Sequence, residues 1–390
     1  MMKHLMLLSL WMLLAAAAPA QDSQPQPFPA QLPSPPPAQP PEPPPAVLEE
    51  PENQEPSVQT ITAGTSLVLV NVTVQDRLGF PVSGLKAADF TVYDNGRPQE
   101  IASFQETIRP LHIIMLIDSS GSTYKKISLI KEGAVEFIRR MHESRPQDKL
   151  AVINFNDDVS LMAGFGNTWR EKIALVQDRI SANGGTALHD ALYLSVRDII
   201  GKIPGRKIVL LYTDGIDSKS MKTYSEAYTA ALASDATFHV ISVDNMAQAL
   251  EDAEKNAYTL SRRHYYEFIQ GEAASRVAEV EPQWTTNMRA QYPPQAVLEM
   301  AYRLSYQRLQ RLAETTGGKF HKVATYDELP LIYRAIASEL PYYYTLGFQP
   351  DFSAAKPGEF HAIELRLANP GHTPRYRRGY YYSPAPVQNK

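Results

Sequence analysis

The sequence of 390 residues contains no cysteine. Disulfide bonds, thiolate metal sites, cysteine nucleophiles and a lipid anchor on cysteine are therefore excluded. Neither sign of charge is in marked excess, because 38 Lys and Arg residues face 42 Asp and Glu residues, for a formal net charge of -4. Without a basic or acidic surplus, we expect neither nucleic acid nor an anionic membrane surface as a partner.

Long apolar runs are absent beyond the N-terminus, so no membrane span is expected in the mature chain. The apolar stretch Leu5–Ala18 follows a basic residue and runs into Ala18-Pro19-Ala20, which fits a small-residue cleavage site. We therefore interpret residues 1–20 as a signal peptide that is cleaved after Ala20, and we expect a periplasmic or secreted protein. An uncleaved signal anchor, which would tether the protein to the membrane, is the alternative.

Residues 21–56 consist largely of Pro, Gln, Glu and Ala and contain few large apolar side chains. Such a segment cannot bury enough apolar surface to offset the entropy that is lost on ordering. Its prolines favour an extended polyproline conformation. We therefore predict a disordered linker here, with folded sequence from residue 57.

The most informative stretch is a short apolar strand that ends in polar residues. Residues 113–117 are all apolar, as expected for a strand that is buried on both faces of a parallel sheet. Asp118, Ser120 and Ser122 follow directly. In an open α/β sheet, ligands bind in the loops at the carboxyl ends of the strands. One carboxylate and two hydroxyls in such a loop form an oxygen donor set that suits a hard cation such as Mg²⁺.

Two later segments supply polar residues that would complete such a site. Thr186 follows the pair Gly184-Gly185, which gives its loop a flexible approach. Asp214 closely follows the apolar run 208–212, which predicts a second buried strand. A single D-x-S-x-S stretch is weak evidence, whereas the three pieces in this order form a specific pattern.

The order D-x-S-x-S, then threonine, then aspartate resembles the metal-ion-dependent adhesion site of von Willebrand factor A domains. The resemblance implies that the hydroxyls of Ser120, Ser122 and Thr186 bind a metal directly or through one water, and that Asp118 and Asp214 hold metal-bound waters. Mg²⁺ is the expected ion, with Mn²⁺ or Ca²⁺ as alternatives. In related domains the vacant coordination position accepts an acidic side chain of a partner protein. The competing interpretation is a loop that keeps this sequence for its turn geometry and binds no metal.

Strand and helix patterns alternate from residue 111 to residue 340, which predicts a doubly wound, mostly parallel α/β sheet. Residues 245–295 interrupt the alternation, and we interpret them as a helical insertion. Residues 57–110 and 341–384 have β patterns instead. Because the first of these segments has too few strands to close a sandwich alone, we predict that the two pair into one small β-sandwich-like domain, with the α/β domain inserted between them.

Some local patterns allow finer predictions. Asn95-Gly96 predicts a hairpin turn, with Gln99–Phe104 as the strand that returns beside Phe90–Tyr93. Tyr376–Tyr382 predicts one strand, and Ala187–Ile200 predicts one helix.

The folded region without the insertion resembles a family of secreted acidobacterial proteins with a von Willebrand factor A-related domain. The resemblance covers about Leu67 to Pro384 and rests on the metal loop and on the segments D-R-L-G-F-P-V-S-G-L-K-A-A-D-F-T-V-Y-D-N-G-R-P-Q-E-I, G-G-T-A-L-H-D-A-L, T-D-G, Y-Y-Y-T-L-G-F and R-R-G-Y-Y. It supports the fold and export, and it implies no settled biochemical role.

We expect an exported, divalent-cation-dependent protein-binding module rather than an enzyme. His189 and Asp190 follow Thr186 closely, but the sequence has no nucleophile elbow, zinc-protease helix, Walker loop or dinucleotide fingerprint. We interpret His189 as a residue at a helix start and Asp217 as a capping or turn residue. A metal-dependent hydrolase and a structural envelope protein with a vestigial metal site are the two alternatives.

Overall fold

The computed structural model describes residues 67–106, 110–201, 203–256, 294–353 and 355–382. The predicted signal peptide, the predicted Pro-rich linker and residues 257–293 of the predicted insertion lie outside the described residues. The two described ends of that insertion are helical. Within the described residues, no helix combines the length and apolar character that a membrane crossing requires.

The described strands belong to one central sheet and two smaller sheets. Their bounds are β1 Val68–Gln75, β2 Phe90–Asp94, β3 Arg97–Gln99, β4 Ile101–Glu106, β5 His112–Asp118, β6 Lys149–Phe155, β7 Val159–Ala163, β8 Lys207–Thr213, β9 Thr237–Val243, β10 Phe320–Val323, β11 Tyr344–Phe348, β12 Phe360–Leu367, β13 Thr373–Tyr376 and β14 Gly379–Tyr381. The described α-helices are α1 Ile127–Ser144, α2 Trp169–Arg179, α3 Leu188–Leu194, α4 Tyr224–Ala233, α5 Met246–Asn256, α6 Pro294–Thr316 and α7 Leu329–Glu339.

The central sheet has the strand order β10-β9-β8-β5-β6-β7 and is parallel except for β7. Residues from α1, α2 and α7 pack on one face of this sheet. Residues from α3, α4 and α6 pack on the other face. Because both faces are covered, the central strands are apolar along nearly their whole length. The prediction of a doubly wound α/β sheet is confirmed.

The two smaller sheets are antiparallel and combine strands from both ends of the described chain. Their strand orders are β13-β1-β11-β4 and β14-β12-β2-β3. One apolar core lies between them, and in it the rings of Phe90 and Tyr344 have centroids 5.3 Å apart. The fold class, with an α/β domain inserted between two β segments that pack as a small sandwich, is therefore confirmed.

The predicted bounds of the strand that pairs with β2, Gln99–Phe104, were wrong. Asn95 and Gly96 have positive φ and form the expected turn, but only Arg97–Gln99 returns beside β2. After Glu100 the chain crosses to the other sheet, where β4 pairs with β11. The crossing lets Phe104 pack against the Tyr344 ring, at a centroid distance of 5.7 Å. A strand that changes sheets in this way forms a corner of the sandwich.

Two further elements are divided where one was predicted. The predicted strand Tyr376–Tyr382 is split, because β13 ends at Tyr376 in one sheet and β14 starts at Gly379 in the other. The predicted helix Ala187–Ile200 consists of α3 followed by the π-helical turn Ser195–Ile200.

Gly133 allows α1 and α7 to approach closely. A Cβ atom at this position would lie 2.7 Å from Cδ2 of Tyr333, whose side chain is fully buried. We predict that Gly133→Ala lowers the free energy of unfolding by about 1–3 kcal/mol through this overlap. The loss should exceed the gain of about 1 kcal/mol that alanine brings in a helix interior. Urea unfolding followed by circular dichroism measures the change, and Tyr333→Leu in the Gly133→Ala background should recover part of it. An unchanged or more stable Gly133→Ala protein would show that the two helices are not in close contact.

Candidate metal centre

Two neighbouring strands bring Asp118 and Asp214 to the same edge of the central sheet. β5 and β8 are parallel and adjacent, with Ile117 paired to Tyr212. Asp118 ends β5, and Asp214 directly follows β8. The exposed fractions of these residues are 0% for Asp118 and 3% for Asp214. Strand order and register alone therefore place two carboxylates side by side in the interior.

The loop after β5 folds back so that its hydroxyls face these carboxylates. The Ser120 backbone N–H donates to Asp118 Oδ1 at 2.9 Å. Ser120 Oγ lies 3.1 Å from Ser122 Oγ, and the Ser122 hydroxyl is close enough to Asp214 to lower the pKa of its carboxyl group. Thr123 holds the turn, because its backbone N–H and its hydroxyl both donate to the Ser120 carbonyl. The two serine hydroxyls are thus fixed close to the two carboxylates.

Backbone hydrogen bonds tie the Thr186 loop to the β5 loop. The Asn183 N–H donates to the Ser119 carbonyl at 2.9 Å, and the Gly121 N–H donates to the Gly184 carbonyl at 3.0 Å. Glycine suits both positions, since Gly184 has a φ of +67° and a Cβ atom on Gly121 would lie 3.1 Å from the Gly184 carbonyl oxygen. Thr186 itself is two residues further along the chain.

The loop after β8 contacts Thr186 from the other side. The Thr186 N–H donates to Ser218 Oγ at 2.9 Å, and the Thr186 carbonyl accepts from the N–H groups of Ser218 and Lys219. The structure therefore links Asp118, Ser120 and Ser122 by hydrogen bonds and brings Asp214 to the same strand edge. Thr186 lies in a loop that is hydrogen-bonded to both of the other loops.

Residues 112–274 match the family model described as the von Willebrand factor type A domain. The chain contains a von Willebrand factor type A domain. The matched range begins at the first residue of β5 and includes all five residues of the candidate site. We refer to it below as the VWA domain.

The comparison with solved structures gives distant similarities to several proteins. A mussel byssus protein, proximal thread matrix protein 1 with a zinc-occupied MIDAS motif, is 13% identical over 63% of this chain and 49% of its own, with a TM-score of 0.40. A von Willebrand factor type A protein from Catenulispora acidiphila is 12% identical over 83% of this chain and 76% of its own, with a TM-score of 0.39. BatB from Bacteroides thetaiotaomicron is 16% identical over 60% of this chain and 99% of its own, with a TM-score of 0.36.

The chain spans about half the length of the mussel protein that it matches. No curated protein matches the chain. At these levels of identity no function is carried over from these proteins, and the site is interpreted from its own residues.

In the described part of the chain, the buried carboxylates of Asp118 and Asp214 have no basic ion-pair partner. Among the residues that the structure describes, no Lys, Arg or His forms an ion pair with Asp118 or Asp214. Burial raises the pKa of Asp118 to about 7, and the negative charge of Asp214 adds to this increase. Burial also raises the pKa of Asp214, against the opposing hydrogen bonds from Ser122 and Ile216. Two buried carboxyl groups and two nearby hydroxyls, with no basic ion-pair partner among the described residues, fit a divalent cation.

A search for clusters of carboxylates, thiols and imidazoles alone would not find this site. No group of three or more His, Cys, Asp or Glu side chains is placed to hold a metal within the described ranges. The donor set depends on the hydroxyls of serine and threonine, which complete the coordination of a hard cation as neutral oxygens.

Sequence reasoning missed three residues that position the site. Thr213 Oγ1 donates to Asp118 Oδ2 at 2.6 Å, Asn245 Nδ2 donates to Asp214 Oδ2 at 3.4 Å, and Ser218 accepts the Thr186 N–H. Thr213 and Asn245 each lie at or just beyond the carboxyl end of a strand, which is a signal that could have found them. Ser218 is in a loop, and the sequence gives no pattern for its contact.

Two residues near the site have the structural roles that the sequence indicated. Asp217 Oδ2 accepts the His189 backbone N–H at 3.1 Å, at the start of α3. The His189 side chain is buried, and its ring packs against Tyr224 with centroids 6.1 Å apart. Asp190 holds the same loop, since its carboxylate accepts the N–H groups of Met221 and Lys222.

The raised pKa of Asp118 predicts how the stability of the metal-free protein depends on pH. Between a pKa of about 4 in the unfolded chain and about 7 in the folded protein, the folded state holds a proton that the unfolded state lacks. The contribution of Asp118 to stability is therefore lost as the pH rises through this range. Buried His239 and His321 have lowered pKa values and act in the opposite direction. The comparison of wild type with Asp118→Asn isolates the carboxyl group.

In EDTA, we expect the wild type to be less stable than Asp118→Asn at pH 7.5 and to approach it at pH 5.5. Urea unfolding at a series of pH values measures the difference between the two proteins. A difference that is independent of pH would contradict the raised pKa.

Proposed function

We propose that the VWA domain is a divalent-cation-dependent protein-binding module. Asp118, Ser120, Ser122, Thr186 and Asp214 would hold the ion, with Mg²⁺ as the preferred species. The observation that carries the proposal is the pair of buried carboxylates at adjacent strand ends, with serine hydroxyls beside them and no basic partner in the described part of the chain. When bound, the cation supplies a Lewis-acidic position that can accept a carboxylate from another molecule.

The residues of the candidate site differ in their exposure to solvent. Asp118 and Ser120 are buried, whereas Ser122 at the same cluster is exposed. Directly after Ser122 and Thr123 in the chain come Tyr124, which is 71% exposed, and the exposed Lys125. A partner that approaches the site would therefore meet an aromatic ring and a positive charge on the β5 loop.

The β8 loop presents a second apolar side chain to solvent. Met221 is 92% exposed, although its backbone is fixed by the Asp190 carboxylate. Methionine and tyrosine are enriched in the centres of protein interfaces, and basic residues attract acidic partners. These features support a protein ligand in which an exposed acidic residue is flanked by apolar side chains.

The proposal assigns no catalytic residue. His189 is the imidazole nearest in sequence to Thr186, and its Nδ1 lies 3.7 Å from Asp217 Oδ2 in the interior. A general base must reach the proton that it removes from a substrate. A buried ring that faces its own capping aspartate is poorly placed for this role.

We further propose that the chain is exported and meets its partner in the cell envelope or outside the cell. The test is affinity capture from an envelope extract of the source organism, in Mg²⁺ and in EDTA, with identification by mass spectrometry. We expect a partner that is retained in Mg²⁺, released by EDTA and not captured by Thr186→Ala. Thr91→Ala, which removes an exposed threonine from the β-sandwich, is the matched control and should capture the partner normally. Equal capture in EDTA, or by Thr186→Ala, would overturn the proposal.

A further inference from the structure

A second candidate site lies at the opposite edge of the central sheet from the metal loops. It is a cleft of about 450 Å³ between the end of α1, the start of β6 and the start of α2. Because β5 and β6 are parallel and Phe155 pairs with Asp118, the start of β6 is six residues of strand away from the metal site. Neither the cation site nor its loops contribute to the lining of the cleft, so the two sites are physically independent.

Aromatic side chains form one wall of the cleft. The rings of Trp169 and His142 lie with centroids 5.5 Å apart and an interplanar angle of 31°. Phe165 also lines the cleft and packs edge-on against His112 at 5.6 Å. The indole of Trp169 is half-buried, so the part of it that lines the cleft is an aromatic surface that another ring can contact.

The cleft also contains positive charge that forms no ion pair within the described residues. Lys172 is only 2% exposed, and its ammonium group donates to the Asn167 carbonyl and lies 5.4 Å from the centre of the Trp169 ring. Lys149 and Arg170 line the same cleft and are exposed. None of these three cations forms an ion pair with an acidic side chain in the described part of the chain.

The carboxylate of Asp148, which also lines the cleft, is already occupied by other groups. Its Oδ2 accepts from Arg145 Nε at 2.6 Å, and its Oδ1 accepts from Arg145 Nη2 at 3.1 Å and from the Leu111 N–H at 3.0 Å. It therefore does not balance Lys172. A buried ammonium group without a carboxylate partner is costly, and burial lowers the pKa of Lys172 accordingly.

We propose that this cleft binds a small aromatic carboxylate. The aromatic ring of the ligand would pack against Trp169, and its carboxylate would pair with the exposed Lys149, with the buried charge of Lys172 close behind the wall of the cleft. Three observations favour this class of ligand: the aromatic wall, the cations beside it that form no ion pair in the described part of the chain, and a volume in the range of small-molecule sites. The negative charge of the ligand would lower the cost of keeping the Lys172 ammonium in the interior.

The test is isothermal titration of the full chain with 2-naphthoate as the probe, with 2-naphthamide as its uncharged counterpart. We expect saturable binding of 2-naphthoate, and binding at least about tenfold weaker for 2-naphthamide. Lys172→Met and Trp169→Leu should each weaken the binding of 2-naphthoate by about tenfold or more. A tenfold change in affinity corresponds to about 1.4 kcal/mol. Arg179→Met, on the same helix but outside the cleft, should bind like wild type.

Circular dichroism establishes whether the variants with buried substitutions are folded. If Lys172→Met does not fold, the exposed position Lys149→Gln provides the second variant, and it should weaken 2-naphthoate and reduce the salt dependence of its binding. The proposal is overturned if wild type shows no saturable binding at millimolar probe. It is also overturned if naphthamide binds as well as naphthoate, or if neither Lys172→Met nor Lys149→Gln changes the affinity.

Discussion

Asp118→Asn is expected to abolish the stabilisation of the protein by Mg²⁺ and, in EDTA at neutral pH, to raise its stability above that of wild type. In the metal-free protein, Asp118 and Asp214 are two buried carboxylates at neighbouring strand ends, and their mutual repulsion opposes folding. Asparagine keeps the shape and the acceptor for the Ser120 N–H, but it removes one of the two charges that would hold a cation.

Thermal unfolding measures how much Mg²⁺ stabilises wild type and Asp118→Asn. At a Mg²⁺ concentration of about 100 times the dissociation constant, a bound ion stabilises the folded state by about 2.7 kcal/mol. At about 2–4 °C for each kcal/mol in a domain of this size, that gain corresponds to a rise in melting temperature of about 5–11 °C. We expect this rise for wild type and for the surface control Asp178→Asn, which lies on α2, and no rise for Asp118→Asn. A normal Mg²⁺ response in Asp118→Asn would rule out Asp118 as part of the site.

Asp148→Asn is expected to cause the largest loss of stability, about 3–5 kcal/mol. Asp148 and Arg145 form a buried bidentate pair, in which both carboxylate oxygens accept from the guanidinium group. The same carboxylate accepts the N–H of Leu111, directly before β5. The asparagine would leave the buried guanidinium without its carboxylate partner and would turn an amide NH₂ toward it.

Urea unfolding in EDTA measures this loss without any contribution from a bound metal. Glu136→Gln is the matched control. Glu136 and Arg140 lie one helical turn apart and form a half-exposed ion pair, with 2.8 Å between Arg140 Nε and Glu136 Oε1. Such pairs contribute about 0.5 kcal/mol or less. Replacing both members of the buried pair, with Arg145→Leu added to Asp148→Asn, should recover part of the stability. If Asp148→Asn and Glu136→Gln cost the same, the buried pair does not anchor the start of β5.

The sequence was sufficient to predict the central sheet, because its strands are buried on both faces. A strand such as β5, with five consecutive apolar residues and an abrupt polar end, has few alternatives in a chain that alternates helices and strands. The sandwich was predictable only in outline. Its strands are short and half-buried, so the pattern does not show where the chain changes from one sheet to the other.

Two places where the chain changes sheets illustrate this difference between the central sheet and the sandwich. The change of sheet at Glu100 depends on Phe104 reaching the rings of Phe90 and Tyr344, which come from distant parts of the sequence. The break between Tyr376 and Gly379 depends in turn on pairing with β1 on one side and β12 on the other. Neither contact leaves a local trace in the sequence.

Site residues at the ends of strands could be predicted from the sequence. Contacts made by residues within loops could not. Asp118 and Asp214 follow apolar runs, and parallel strands place such ends at one edge. The hydrogen bonds of Thr213 and Asn245 to these carboxylates depend on the order β9-β8-β5, which sequence alone does not give. The contact between Ser218 and Thr186 depends on the path of the ten-residue loop between β8 and α4.

The most direct test of the metal site is a count of bound Mn²⁺ ions by electron paramagnetic resonance on EDTA-treated, dialysed protein. We predict one Mn²⁺ per chain that competes with Mg²⁺, is lost in Thr186→Ala, and is retained in Thr91→Ala. An absence of bound Mn²⁺ in wild type, or one ion that survives in Thr186→Ala and Asp118→Asn alike, would contradict a cation held by the three converging loops.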